Sequence, residues 1–255
     1  PASISPEERQ GRMSLVITRA GMSRPETPIP PPPRFASRRP SSRKPWFRVS
    51  ISECTASFII AAANGLVFGA WGIAVTWLGG ALSVDASTMV ASAGAATKIH
   101  DAVTASNEIT IEAWLKPGNL TQNGPARMVT LSPSTAERNV MLGQGVYGAA
   151  SDVVEVRLRT TTTDLNGKPA LATPDGTLST DLTHVVFTRD ALGVTRIYLD
   201  GVQQAVSLAA GDLSNWDPGY GLTLANEGTG DRPWLGELHL VAIFDRALPY
   251  VDVLQ

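Results

Sequence analysis

Arg196-Ile197-Tyr198-Leu199-Asp200-Gly201-Val202-Gln203-Gln204-Ala205 is the stretch whose reading decides the fold. Asp-Gly between two alternating apolar and polar runs is a preferred two-residue hairpin turn, because both turn positions take a positive φ that Asp tolerates and Gly adopts freely. The stretch therefore predicts two antiparallel strands joined at Asp200-Gly201. Upstream, Glu108-Ile109-Thr110-Ile111-Glu112-Ala113-Trp114-Leu115 alternates in the same way and stops at Lys116-Pro117-Gly118. One face of that strand belongs to a core.

The pattern continues outward. Residues 127–131, 153–160, 184–189, 195–199 and 235–244 read as further strands, with Val154, Val156 and Leu158 opposed by Glu155, Arg157 and Arg159. Short strands broken by turn residues are the signature of a sandwich or jelly roll. No window of about a dozen residues in this half carries a helical apolar stripe free of breakers, which excludes a helix-first account.

Four segments carry a family resemblance. Ile109-Thr110-Ile111-Glu112-Ala113-Trp114-Leu115-Lys116-Pro117, Leu182-Thr183-His184-Val185-Val186-Phe187-Thr188-Arg189-Asp190, the hairpin, and Gly236 through Leu248 stand in the order and spacing of the LamG-like (laminin G-like) jelly rolls. The chain resembles that branch of the concanavalin A-like lectin/glucanase superfamily over residues 88–255, roughly two thirds of its length. The resemblance implies an all-β, antiparallel jelly-roll sandwich whose concave sheet or loop rim is a recognition surface. It also implies ligands of the kind the family binds, which are glycans, glycosaminoglycans or cell-surface proteins, in several members with calcium. One departure is His239, where the family commonly has aspartate. Roles tied to that aspartate do not transfer.

The N-terminal third differs. Residues 1–53 hold Pro30-Pro31-Pro32-Pro33 and cations at Arg34, Arg38, Arg39, Arg43, Lys44 and Arg48 without apolar periodicity, which predicts a disordered Pro/Arg-rich arm. From Thr55 to Val84 no side chain is charged. Residues 55–82 are long enough to cross a bilayer core, which takes about 20 residues as a helix. The basic cluster on their N-terminal side would leave the C-terminal domain outside the cytoplasm, secreted or membrane-anchored. The alternative takes Asn64-Gly65 and Gly79-Gly80 as hairpin turns and the segment as the first strands of the sandwich. Both readings stand at this point.

Composition excludes several functions. The chain has 255 residues and a net charge of -2, so no whole-molecule field gathers nucleic acid. One cysteine, Cys54, rules out an intrachain disulfide framework, and three histidines leave little for a histidine metal site. A glycosidase needs two carboxylates about 5 to 9.5 Å apart. Glu237 and Asp245 lie eight residues apart on one strand, roughly 27 Å, and Glu108 and Glu112 about 13 Å. Neither is a catalytic pair, and His184 has no nucleophile beside it.

The candidate binding residues lie in loops. Trp216 and Tyr220 in Asn215-Trp216-Asp217-Pro218-Gly219-Tyr220, and Trp234 after Arg232, offer aromatic faces for a sugar ring beside polar groups for its hydroxyls. Asp217, Asn226, Glu227 and Asp231 supply oxygens for a calcium ion if the two loops meet at one rim. Asx residues and glycines in such loops also simply make turns. The sequence thus predicts an extracytoplasmic, non-catalytic module for carbohydrate or a surface protein, with membrane attachment through 55–82. The alternatives are a structural or interaction domain without a small ligand and, at the margin, a carbohydrate-active enzyme.

Overall fold

The structure, a computed structural model, describes residues 47–50, 66–68, 75–78 and 81–254. Among these, two antiparallel sheets form a sandwich. The first sheet runs β13 (Val202–Leu208), β12 (Val194–Leu199), β11 (Thr183–Arg189), β6 (Ile109–Pro117), β15 (Gly236–Phe244), β4 (Ala81–Val84) and β3 (Val75–Leu78), with β1 (Phe47–Ser50) also on β15. The second runs β10 (Leu171–Ala172), β9 (Val154–Leu158), β8 (Val140–Gln144), β7 (Ala126–Leu131), β14 (Gly221–Leu224), β5 (Val90–Ala95) and β2 (Leu66–Phe68).

Alternation fixes the register. Ile197, Phe187, Ile111 and Ile243 face one another across β12, β11, β6 and β15, and all four are buried. From the other sheet Leu224, Val129, Leu142 and Val156 form the matching row. Burying each such side chain contributes about 1.5–3 kcal/mol, and a slip of one residue would turn the whole row to the other face. The Asp-Gly turn is observed as expected, with φ of 48° at Asp200 and 78° at Gly201. The Asp200 carboxylate accepts the His184 backbone N–H at 2.8 Å, tying the hairpin to the start of β11. At His239 the β15–β6 register shifts, so the family-divergent residue sits at a β-bulge.

Two helices accompany the sheets. The longer, α1 (Thr97–Ser106), has no counterpart in the sequence reading: it buries only Ile99 and Val103, a stripe too short to stand out, and ends at Asn107 in the left-handed region. At the C-terminus α2 (Tyr250–Val253) places Val253 against Val186 and Tyr198 on the outer face of the first sheet.

Two N-terminal expectations meet strands. Within the stretch read as an arm, residues 47–50 pair with β15, while 1–46 and 51–53 lie outside the described residues. Within 55–82, residues 66–68 pair with β5, residues 75–78 pair with β4, and β4 itself begins at Ala81. These are the positions the hairpin alternative assigns to strands; residues 55–65, 69–74 and 79–80 lie outside the described residues. No described helix is long and apolar enough to cross a membrane, which says nothing of strands.

Candidate functional site

The loop residues singled out from sequence do not form one rim. The loop carrying Trp216 and Tyr220 precedes β14 and the loop carrying Asn226 to Asp231 follows it, so a four-residue strand separates them by roughly 14 Å. Each loop is organised by its own polar groups. Asp217 accepts the Gly219 N–H at 2.8 Å and exchanges backbone bonds with the Asn139 amide. The Asn226 side-chain oxygen accepts the N–H groups of Glu227 and Arg232 at 2.9 and 3.0 Å, and exposed Asp231 accepts the Thr229 hydroxyl. These are turn-forming roles. Among the described residues no group of three or more His, Cys, Asp or Glu side chains is placed to hold a metal ion.

The two tryptophans are core residues. Trp216 is 3% exposed and its indole N–H donates to the Arg159 carbonyl at 2.8 Å. Trp234 is fully buried and donates to the Gln144 side chain at 2.9 Å, inside a network that Gln122 completes. Neither has a face to offer a sugar. Each indole N–H is satisfied from outside its own loop, by the Arg159 carbonyl and by Gln144 on β8. Tyr220 is half-buried; burial pushes its phenol upward, and its hydroxyl donates to Glu137 at 3.0 Å.

Arg232 is the sequence-predicted residue that does face an exposed ring. Its guanidinium lies 5.5 Å from the centroid of Tyr147, which is 67% exposed. Tyr147 sits in the β8–β9 turn between Gly145 and Gly148, both at positive φ, and Val146 donates to the Ala150 carbonyl at 2.7 Å to close the turn. Sequence reasoning passed over it. The available signal was an aromatic residue in a glycine-flanked turn, where no core needs its bulk.

Behind this rim lies a buried cluster of charged side chains on the outer side of the second sheet. Val129, Leu142 and Val156 point inward, so their neighbours Thr130, Met141, Glu155 and Arg157 point outward, and Arg127 and Glu155 flank Gly143 across three strands. Alternation sets Glu155 and Arg157 opposite the core-facing Val154, Val156 and Leu158. Arg127, Glu155 and Arg157 are nevertheless only 1%, 1% and 6% exposed. Arg127 donates to Glu227 at 2.8 Å and to the Pro125 carbonyl at 2.7 Å, and the other Glu227 oxygen accepts the Ser132 hydroxyl. Arg157 pairs with Glu155 and donates to Asn166 at 3.0 Å. Burial pushes the Arg127 guanidinium below its ordinary value, against the holding effect of Glu227. Glu227, read from sequence as a calcium ligand, is thus the partner of a guanidinium. The rim joins this cluster directly, since the Arg127 backbone N–H donates to the Arg232 carbonyl at 3.1 Å.

On the opposite sheet Trp114 stacks on His184 at 4.7 Å between centroids, and His184 meets Glu112 at 3.1 Å. Phe187 and Tyr198 are buried, as bulk-filling positions should be. Glu108 accepts the N–H groups of Ala191 and Ala247, which fixes it as a structural carboxylate.

Comparison with known proteins agrees with this architecture. No curated protein matches the chain. Among solved structures, the sialidase NanB from Streptococcus pneumoniae matches with a TM-score of 0.52 and 16% identity over 69% of this chain and 27% of its own. The CBM40 of the Ruminococcus gnavus IT-sialidase matches with a TM-score of 0.50 and 14% identity over 68% of this chain and 94% of its own. At such identities the likeness is one of fold. The sequence match is more specific, because residues 91–253 fit the concanavalin A-like lectin/glucanases superfamily, the laminin G branch that the four motifs resemble. With nearly two thirds of its length inside that match and the sandwich it prescribes, the chain belongs to the concanavalin A-like lectin/glucanase superfamily.

Proposed function

We propose that this domain is a non-catalytic carbohydrate-recognition module, acting outside the cytoplasm, with the exposed Tyr147 ring and Arg232 as its contact residues. The observation that carries the reading is the Tyr147 ring, 67% exposed and backed by a guanidinium at 5.5 Å, joined to a buried polar cluster. An exposed flat apolar face beside fixed donors and acceptors is the chemistry a pyranose requires. The fold likeness to the CBM40 of the Ruminococcus gnavus IT-sialidase, which was also solved bound to alpha2,3 sialyllactose, supports a sugar as ligand. Calcium has no assigned role in this reading, since Asn226 and Glu227 are engaged by protein partners.

The test is a titration of the full chain against an array of neutral and acidic oligosaccharides, wild type beside Tyr147→Ala. Wild type binds at least one saccharide class. The variant binds it about tenfold more weakly, or about 1.4 kcal/mol, with unchanged thermal unfolding. Absence of binding across the array, or a variant that binds as well as wild type, refutes the assignment.

A further inference from the structure

Among the described residues β13 is the outer strand of the first sheet. Val202–Leu208 holds no charged residue and no proline, two of the usual guards against edge-to-edge pairing. Val206 and Leu208 lie on the same face of the strand and are 55% and 63% exposed. The parity of the ladder fixes where their backbone groups point. The Ala209 N–H donates to the Gly193 carbonyl at 2.8 Å, and Val194 lies opposite Leu208. Ala205, Ser207 and Ala209 therefore bond towards β12, while the N–H and C=O of Val206 and Leu208 point away from the sheet. This free stretch is bounded at both ends. A β-bulge interrupts the strand at Gln204, between the pairs Ile197–Ala205 and Tyr198–Gln203. At the other end the Thr162 hydroxyl donates to the Ala210 carbonyl at 2.7 Å. What remains is 205–209, with Ser207 at its centre.

We propose that β13 is the docking edge for a second copy of this chain, the two strands running antiparallel about a two-fold axis at Ser207, so that the first sheets of both copies join into one. In that register Val206 lies opposite Leu208 of the other copy, and each such pair exchanges both of its backbone bonds. The valines and leucines of the two copies then pack together on one face of the joined sheet. Charge favours a second copy over a charged peptide. A strand without charge meets itself with no like charges opposed, and Arg196, opposite Val206 on β12, is already held by Asp190 at 3.3 Å. Pairing about a two-fold axis also closes on itself, so association stops at a dimer. A ladder this short buries roughly 1,000 Å², the low end for a specific contact, so the dimer is weak and forms at about 100 μM. It is independent of saccharide binding at Tyr147.

The experiment is sedimentation equilibrium of the full chain from micromolar to millimolar concentration, on wild type and Val206→Lys, joined to oxidative crosslinking of single-cysteine variants. Wild type passes from monomer to dimer as concentration rises. Val206→Lys brings two ammonium groups near each other across the axis and weakens the dimer about tenfold or more. Its thermal unfolding is unchanged, because the position is exposed. In a Cys54→Ser background, which removes the one native cysteine, Ser207→Cys crosslinks to its own copy under mild oxidation. A pair on the axis at a non-hydrogen-bonded position has Cα atoms about 4.5 Å apart, inside the disulfide range of about 4.4–6.8 Å. Val206→Cys crosslinks far less, since its symmetry mate lies on the diagonal about 7–8 Å away. A wild type that stays monomeric throughout, or a Val206→Lys dimer as tight as wild type, overturns the proposal. Ser207→Cys crosslinking no faster than Val206→Cys overturns it as well, as does growth beyond a dimer, which a closed two-fold pairing forbids.

Discussion

Replacing Glu227 by Ala tests whether this residue is a structural ion-pair partner or a metal ligand. In the folded protein Glu227 is fully buried, accepts from Arg127 at 2.8 Å and takes the Ser132 hydroxyl on its other oxygen. Removing the carboxylate leaves the Arg127 guanidinium, 1% exposed, with the Pro125 carbonyl as its remaining hydrogen-bond partner. Breaking a buried ion pair by deleting one partner costs about 3–5 kcal/mol, because the surviving charge stays desolvated without compensation. For a domain of this size each kcal/mol shifts the midpoint by about 2–4 °C, so a fall of roughly 6–20 °C is expected in a thermal melt. The double variant Arg127→Met with Glu227→Leu removes both charges and returns stability to within about 1 kcal/mol of wild type, or above it, since apolar packing commonly matches a buried pair. The assay is urea unfolding of wild type, both single variants and the double variant, with and without a chelator. A loss below about 1 kcal/mol in Glu227→Ala, or a double variant as unstable as the sum of its parts, refutes the ion-pair account. A calcium-dependent midpoint in wild type that vanishes in Glu227→Ala would return the residue to the metal-ligand role expected from sequence.

The remaining predictions concern the core, one glycine and one buried cation. Trp216→Ala and Trp234→Ala each lower unfolding stability by about 3–5 kcal/mol, the usual range for truncating a buried aromatic, and lose ligand only as the fold is lost; a folded Trp234→Ala protein with specifically weakened binding would restore the tryptophan to the site. Gly236→Ala destabilises the β15–β6 ladder by more than about 2 kcal/mol, because the added Cβ would lie 2.3 Å from the Lys116 carbonyl oxygen and 2.6 Å from the Trp234 ring; chemical denaturation reads this directly, and near-wild-type stability would disprove it. Arg138, lowered to about 10 mainly by burial, disfavours the folded state while charged. Because the unfolded chain holds this proton more tightly, the penalty is full below about pH 10 and is relieved as pH rises through that value. At about 1.36 kcal/mol per unit, Arg138→Met therefore gains up to about 3 kcal/mol at neutral pH, with the advantage over wild type shrinking above pH 10. A variant less stable than wild type at pH 7 in urea unfolding contradicts that sign.

The strands were legible because alternation and turn chemistry are local. Asp200-Gly201 specifies its hairpin through two φ values that few other residue pairs adopt, and Ile111, Phe187, Ile197 and Ile243 declare a core face by a period of two. The short helix α1 was not legible, since two buried residues in ten give no stripe. Residues 66–68 and 75–78 lie in an uncharged run that reads as well for a bilayer as for a sheet, and strand pairing with β5 and β4 is a contact that hydropathy does not encode.

By itself the sequence determined an all-β sandwich whose resemblance to the concanavalin A-like kind implied recognition, while the spacing of its carboxylates spoke against a catalytic pair. Only the tertiary structure decided which polar residues are solvent-facing and which are shut in. Glu155 and Arg157 alternate with valine and leucine as surface residues do, yet both are buried. Arg127 finds Glu227 one hundred residues away. Trp216 and Trp234 sit in polar loops and turn inward, while Tyr147, in an unremarked glycine turn, stays out. The physical reason is range: a backbone period or a turn is set by neighbours in the chain, whereas burial and charge pairing are set by segments that meet only after the two sheets have closed.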